Sequence, residues 1–209
     1  MMRSAWPTYE AAGRQSRLSL LVDSPGWTGT FELATLLAAG CGAAMATGFL
    51  DLGLRIPGHA IIRAVFPMAF GLAAAPRRGA GCVMGGSALA SAACIHFGGF
   101  ASIGAGAVTS LCVTGPLLDL AVCSLRPGRS LWLRLGLAGM MSNTVAFMVR
   151  GGVKLAGADH ATGRPFAAWW PQAAWTYLLC GLLAGLLSAA VWFRFQADRD
   201  SEADREELR

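Results

Sequence analysis

The chain has 209 residues, of which 55% are hydrophobic and only 14% are charged, and its mean hydropathy is +0.50. A soluble domain carries about a quarter charged residues, so this composition argues against a soluble domain and indicates a membrane protein. Residues 1–195 contain 14 basic and 6 acidic groups. Because the basic residues fall between apolar runs, they indicate orientation in a membrane and not nucleic-acid binding.

Six apolar runs have lengths at or near what is needed to cross roughly 30 Å of hydrocarbon. They predict an all-α integral membrane protein with six transmembrane helices, at Phe31–Leu50, His59–Ala75, Ala80–Gly99, Ile103–Leu125, Leu131–Val149 and Ala173–Phe193. The second run is short and contains Arg63 and Pro67, so we do not expect a plain lipid-facing helix there.

The longest predicted loop is 150–172, which holds several charged residues and the aromatic pair Trp169-Trp170. Aromatic residues are enriched where a membrane meets water. We therefore predict interfacial anchors in the last span, at Trp175, Tyr177 and Trp192.

Lysine and arginine residues are distributed unequally between the two sides of the predicted bundle. The side that holds both termini carries 12 of them, and the other side carries 5. Cytoplasmic segments are enriched in basic residues, so we predict cytoplasmic termini and an inner (plasma) membrane location. Residues 1–30 then form a cytoplasmic or interfacial arm, residues 31–195 the transmembrane domain, and residues 196–209 a charged cytoplasmic tail.

Polar side chains at the outer ends of the predicted spans form the candidate substrate site. His59 and Arg63 are four residues apart and share a helix face, and the reversal after His96 brings that histidine to the same depth. Arg150 ends the fifth span on the same side, and Asn143 lies within that span. Ionisable groups at membrane depth normally line a cavity or pair with each other, so we predict an outward-open binding pocket.

A structural interpretation remains open for several of these residues. Arg63 then reaches the outer interface and pairs with Asp51, His59 caps the second helix, and Asn143 hydrogen-bonds between helices. Asp119, in the fourth span, is open to two interpretations, namely a coupling or partner contact and a structural residue. The structural interpretation is favoured, because three arginines are near enough in the topology to be its salt partners, Arg77, Arg78 and Arg126.

Small residues in the first span recur at four-residue spacing, as Ala34/Ala38 and Ala39/Ala43. This spacing gives a helix a flat face that allows close packing in lipid. Two interpretations are open, namely packing within the chain's own bundle and docking of a partner helix.

Motifs for catalysis are missing from the sequence. Ser87 and His96 are nine residues apart on one predicted helix, about 13 Å by rise, so they do not form the dyad of an intramembrane serine protease. No Walker A loop is present. The six cysteines are scattered singly in apolar runs, which favours small buried hydrophobes over a disulfide framework or zinc site. We predict a protein that is not an enzyme and has no cofactor.

The order of features at Gly58-His59, Pro76-Arg-Arg-Gly79 and Phe97–Ala105 resembles the cobalt/nickel-type substrate-binding (S) component of energy-coupling factor (ECF) transporters, the CbiM/NikM family. The resemblance covers residues 57–121. It implies a substrate-capturing component that docks through an alanine-rich helix on a transmembrane coupling subunit, which is served by cytoplasmic ATPases. It also implies His59 as a metal ligand.

One departure from the family concerns the metal. Its metal-specific members ligate the ion through an amino-terminal Met-His, whereas this chain begins Met1-Met-Arg-Ser on the predicted cytoplasmic side. Only His59 carries over, and Arg63 and Arg150 favour a carboxylate or phosphate over a cation. The prediction is therefore a transport component that binds a small solute or metal ion, in contact with membrane lipids and without nucleic acid. The alternative is a membrane scaffold or assembly factor that recruits a soluble partner through its arm and tail.

Overall fold

The computed structural model describes residues 28–50, 58–123, 129–157 and 166–193, so most of the predicted arm and all of the predicted tail lie outside the described residues. The described residues contain six α-helices, and each overlaps one predicted span, which confirms the all-α prediction. In chain order they are α1 Thr28–Phe49, α2 Ile61–Ala74, α3 Ala80–Phe97, α4 Ala105–Cys123, α5 Arg129–Leu155 and α6 Phe166–Trp192.

Four of the described helices are long and apolar enough to cross a membrane, which makes the chain a multi-pass membrane protein. These are α1, α3, α4 and α6. Helix α2 has 14 residues and rises about 21 Å, less than the thickness of the hydrocarbon layer. Helix α5 has 27 residues, but its hydropathy is lowered by four cations, Arg129, Arg134, Arg150 and Lys154.

Helix α2 is the centre of the bundle, because it packs against each of the other five helices. Nine of its 14 residues are buried, among them Ile61, Val65, Met68 and Leu72. Pro67 removes a backbone donor from the helix interior, a defect that is tolerated inside a helical bundle. The expectation that this segment is not a plain lipid-facing helix is confirmed.

Glycines allow several neighbouring helices to approach until their backbones touch. A Cβ added at Gly81 of α3 would lie 1.9 Å from the carbonyl oxygen of Gly115 in α4, and one at Gly139 of α5 would lie 2.4 Å from that of Gly181 in α6. No real Cβ tolerates such distances. The glycines therefore set the spacing of these helices, as small residues do in membrane bundles.

The loop predicted at 150–172 is wrong at both ends. Helix α5 continues to Leu155, and α6 begins at Phe166, so most of the predicted loop is helical. The Lys154 ammonium lies 5.4 Å from the centre of the Trp169 ring, a cation–π contact that joins the two helical extensions. Both helices therefore extend into a segment that its charged residues had suggested was a loop.

The end of the bundle opposite Gly58 is held together by polar contacts to one turn. Arg77, which lies between α2 and α3, forms a buried ion pair with Glu32 of α1. Asp119 of α4 accepts a hydrogen bond of 2.8 Å from the backbone N–H of Gly79 in the same turn. Arg77 was one of the salt partners predicted for Asp119. Its ion pair is with Glu32, an acid that the sequence did not single out.

Candidate functional site

A cavity of about 420 Å³ lies at the end of the bundle where α2 and α4 begin. Its walls come from α2, α4, α5 and α6, and its size falls within the range of small-molecule pockets. Four of the predicted site residues line it, namely His59, Arg63, Asn143 and Arg150. Tyr177, which was predicted to be an interfacial anchor, lines it as well. Among the described lining residues there is no carboxylate.

Asn143 fixes the turn that carries His59. Its fully buried side chain donates hydrogen bonds to the carbonyl oxygens of Gly58 (3.1 Å) and Tyr177 (2.7 Å). Gly58 has a φ of +84°, and a Cβ on it would lie 2.9 Å from Tyr177. Glycine is therefore required both by the backbone conformation and by the close approach of α6. The Asn143 amide thus links α5 to α6 and to the turn before α2, and this turn carries His59.

Arg150 lies across the first turn of α4. Its Nη1 donates a hydrogen bond of 3.2 Å to the hydroxyl of Tyr177. A Cβ on Gly106 would lie 3.5 Å from the Cβ of Arg150, an ordinary van der Waals distance, so the arginine stem runs close to the first turn of α4. Tyr177 is buried in the cavity wall, which corrects its prediction as an interfacial anchor. Trp175, on the same helix, is exposed.

Arg63 connects the start of α2 to the end of α1. Its Nη1 donates a hydrogen bond to the carbonyl oxygen of Leu50, so its positive charge lies at the carboxyl end of α1, where the helix dipole favours it. Its Nε is buried and has no acceptor within the described part of the chain. The alternative partner Asp51 lies outside the described residues.

The two histidines of the predicted site are separated. His59 lies in the turn before α2 and lines the cavity, but the position that caps α2 belongs to Ala60. His96 lies near the end of α3, is exposed, and meets the ring of Phe97 edge-on at 5.6 Å. His96 does not line the cavity. The described residues contain no group of three histidine, cysteine or acidic side chains able to hold a metal ion.

The alanine stripe of α1 divides into a covered pair and an open pair. Ala39 and Ala43 are buried in the chain's own core, so a partner has no access to them. Ala34 and Ala38 are exposed. The prediction of a partner-docking face is thereby corrected to Ala34 and Ala38, because the other two alanines already pack within the bundle.

Comparison of the chain with models of protein families, with curated proteins and with solved structures finds no match. The functional interpretation therefore depends on two features of the molecule itself. These are the cavity at one end of the bundle and the exposed alanine pair on α1.

Proposed function

We propose that the chain is the substrate-capturing membrane component of an uptake transporter of the energy-coupling factor type. In this proposal the solute binds in the cavity beside His59 and Arg63, and ATP hydrolysis is supplied by separate subunits. The bundle lies in the plasma membrane with six membrane-embedded helices and both termini in the cytoplasm, which directs the cavity outward. The unequal distribution of lysine and arginine supports this orientation.

The observation that carries the proposal is the cavity. It lies at one end of the bundle, between α2, α4, α5 and α6, and it combines polar side chains with walls of small apolar residues. Such concave sites with a few well-placed polar groups are typical of small-molecule binding. The hydrogen bonds of Asn143 hold the cavity wall in place from its two sides, Gly58 and Tyr177. A rigid outer pocket is what a capture component requires.

The exposed part of α1 supports docking on a second membrane subunit. Ala34 and Ala38 lie four residues apart on a face that the chain's own helices leave open. Small residues at this spacing let another helix approach closely in lipid. We place the contact with the coupling subunit on this face.

Purification of the tagged chain from its native membranes tests the proposal. We expect it to bring down a membrane subunit and ATP-binding subunits in fixed ratio, and we expect genes for such subunits beside its own. The double variant Ala34→Leu/Ala38→Leu should lose these subunits. The matched control is Ala90→Leu/Ala93→Leu, which adds the same bulk to exposed positions of α3 and should keep them.

Two outcomes would contradict the proposal. One is a native preparation without any ATP-binding subunit, together with no such genes nearby. The other is loss of function on deletion of residues 196–209 with no effect of Arg63→Ala, which would favour the scaffold alternative.

A further inference from the structure

We propose that the cavity binds a small organic anion through its carboxylate or phosphate oxygens. The inference rests on the proposed function, because it names the class of solute that the capture component takes. It is carried by the charge of the cavity, by its hydrogen-bond donors and by its apolar walls.

The described side chains that line the cavity carry a positive charge. Arg63 and Arg150 both line the cavity, and each brings a positive charge to it. No acid is present among the lining residues that the structure describes. Two half-buried cations at membrane depth repel each other and need a counter-charge, which an anionic solute supplies.

The two arginines also bring many hydrogen-bond donors to the cavity. Each guanidinium has five N–H donors, but Arg150 gives one to Tyr177 and Arg63 gives one to Leu50 within the described residues. The buried Nε of Arg63 lacks an acceptor there, and a buried donor without an acceptor is destabilising. An oxyanion that draws the guanidinium toward the cavity gives these donors acceptors. Carboxylate and phosphate oxygens match the planar fork of arginine.

The beginning of α4 adds further donors to the same cavity. Residues 104–107 line it, and the backbone N–H groups of Ala105 and Gly106 have no acceptor within their own helix by position. The positive end of the α4 dipole also favours an anion. The helix end is thus directed at the space that the two arginines share.

The remaining walls define the rest of the solute. Ile61, Ala146 and Val153 present methyl groups, and about 420 Å³ accommodates a small metabolite. A divalent metal finds one imidazole, His59, beside two fixed positive charges, which is a poor set of ligands. The cavity therefore favours a compact organic anion over a metal cation.

The test uses the purified full chain in lipid nanodiscs and measures its thermal unfolding and its tryptophan fluorescence. Two charged probes are each paired with a related neutral compound, namely succinate with succinamide, which has nearly the same shape, and glycerol 3-phosphate with glycerol, which lacks the phosphate. Nickel chloride is the fifth arm. We expect saturable stabilisation by at least one charged probe and none by the neutral analogues, and the responding pair identifies carboxylate or phosphate. Equal responses to charged and neutral probes, no response to either anion, or a response to nickel alone would overturn the proposal.

Variants then locate the bound anion. Arg63→Gln and Arg150→Gln should each weaken binding of the responding probe about 10-fold to 100-fold, because each loses a charge-assisted hydrogen bond. Tyr177→Phe controls for the bond between Tyr177 and Arg150 and should weaken binding less than Arg150→Gln. Arg78→Gln removes an exposed charge at the opposite end of the bundle and should leave binding unchanged. Equal effects of Arg78→Gln and Arg63→Gln would show only a general electrostatic response and would also overturn the assignment.

The two proposals fail separately. If ATP-binding subunits copurify but no anion binds, the transport function stands and the solute class is wrong. If an anion binds in the cavity but no such subunits exist, the site stands and the transporter assignment is wrong.

Discussion

Replacement of Gly185 in α6 by alanine tests whether α5 and α6 are held at backbone contact. A Cβ there would lie 2.1 Å from the carbonyl oxygen of Leu135, whereas ordinary contact begins at 3.4 Å, so the helices must separate locally by about 1.3 Å. Because the obstructing atom is a backbone oxygen, no change of rotamer relieves the overlap. Overpacking of this kind costs about 1–3 kcal/mol.

The matched control is Gly152→Ala in α5, where an added Cβ meets nothing within 4 Å. Both variants gain the same helix propensity, roughly 1 kcal/mol, so this term cancels between them. We therefore expect Gly185→Ala to be less stable than Gly152→Ala by about 1–3 kcal/mol in free energy of unfolding, measured in mixed detergent micelles. Equal stability of the two variants would refute the backbone contact between α5 and α6.

Three further predictions concern buried polar contacts. Glu32→Gln and Arg77→Met should each lower the free energy of unfolding by about 3–5 kcal/mol, and the double variant should recover most of the loss. Additive losses in this double-mutant cycle would contradict the ion pair. Asn143→Ala should lower the free energy of unfolding by about 1–3 kcal/mol and speed hydrogen exchange in residues 58–60, because two backbone carbonyls lose their donor. Unchanged exchange in these residues would contradict the proposed role of Asn143 in holding the turn. Trp192→Phe keeps an aromatic ring but loses the Nε1 hydrogen bond of 3.1 Å to the Phe66 carbonyl, and it should lower the free energy of unfolding by about 1 kcal/mol. An unchanged free energy of unfolding would show that this bond does not stabilise the fold.

The helices could be predicted from the sequence because apolar runs separated by basic turns leave few alternatives in a membrane. Their ends could not all be predicted. Helix α5 extends past Arg150 to Leu155 because its last turns pack against α6, as the contact between Lys154 and Trp169 shows. Such a contact joins residues on different helices, so the local pattern gave no sign of it. The charged residues of this segment were interpreted as a loop, whereas tertiary packing continues the helices through them.

The part of the candidate site that could be predicted consists of polar residues that lie in or at the ends of apolar runs. Arg63, Asn143 and Arg150 were singled out on that ground, and all three line the cavity. Tyr177 was missed, because an aromatic residue near a span end is equally typical of an interfacial anchor. The partners of Asn143 are backbone carbonyls, which every residue carries, so no sequence signal identifies them.

Helix α2 runs from the cavity to the end of the bundle where the proposed docking face of α1 begins. Its first turn carries Arg63 at the cavity, and the turn after its last residue carries Arg77, which pairs with Glu32 of α1. Glu32 lies two residues before Ala34, so the proposed docking face begins beside that ion pair. Because nine residues of α2 are buried and α2 contacts all five other helices, we expect a displacement at the cavity to be passed to its neighbours. We therefore expect the exchange protection of the Glu32 region to change when a solute binds, although the cavity lies at the other end of α2.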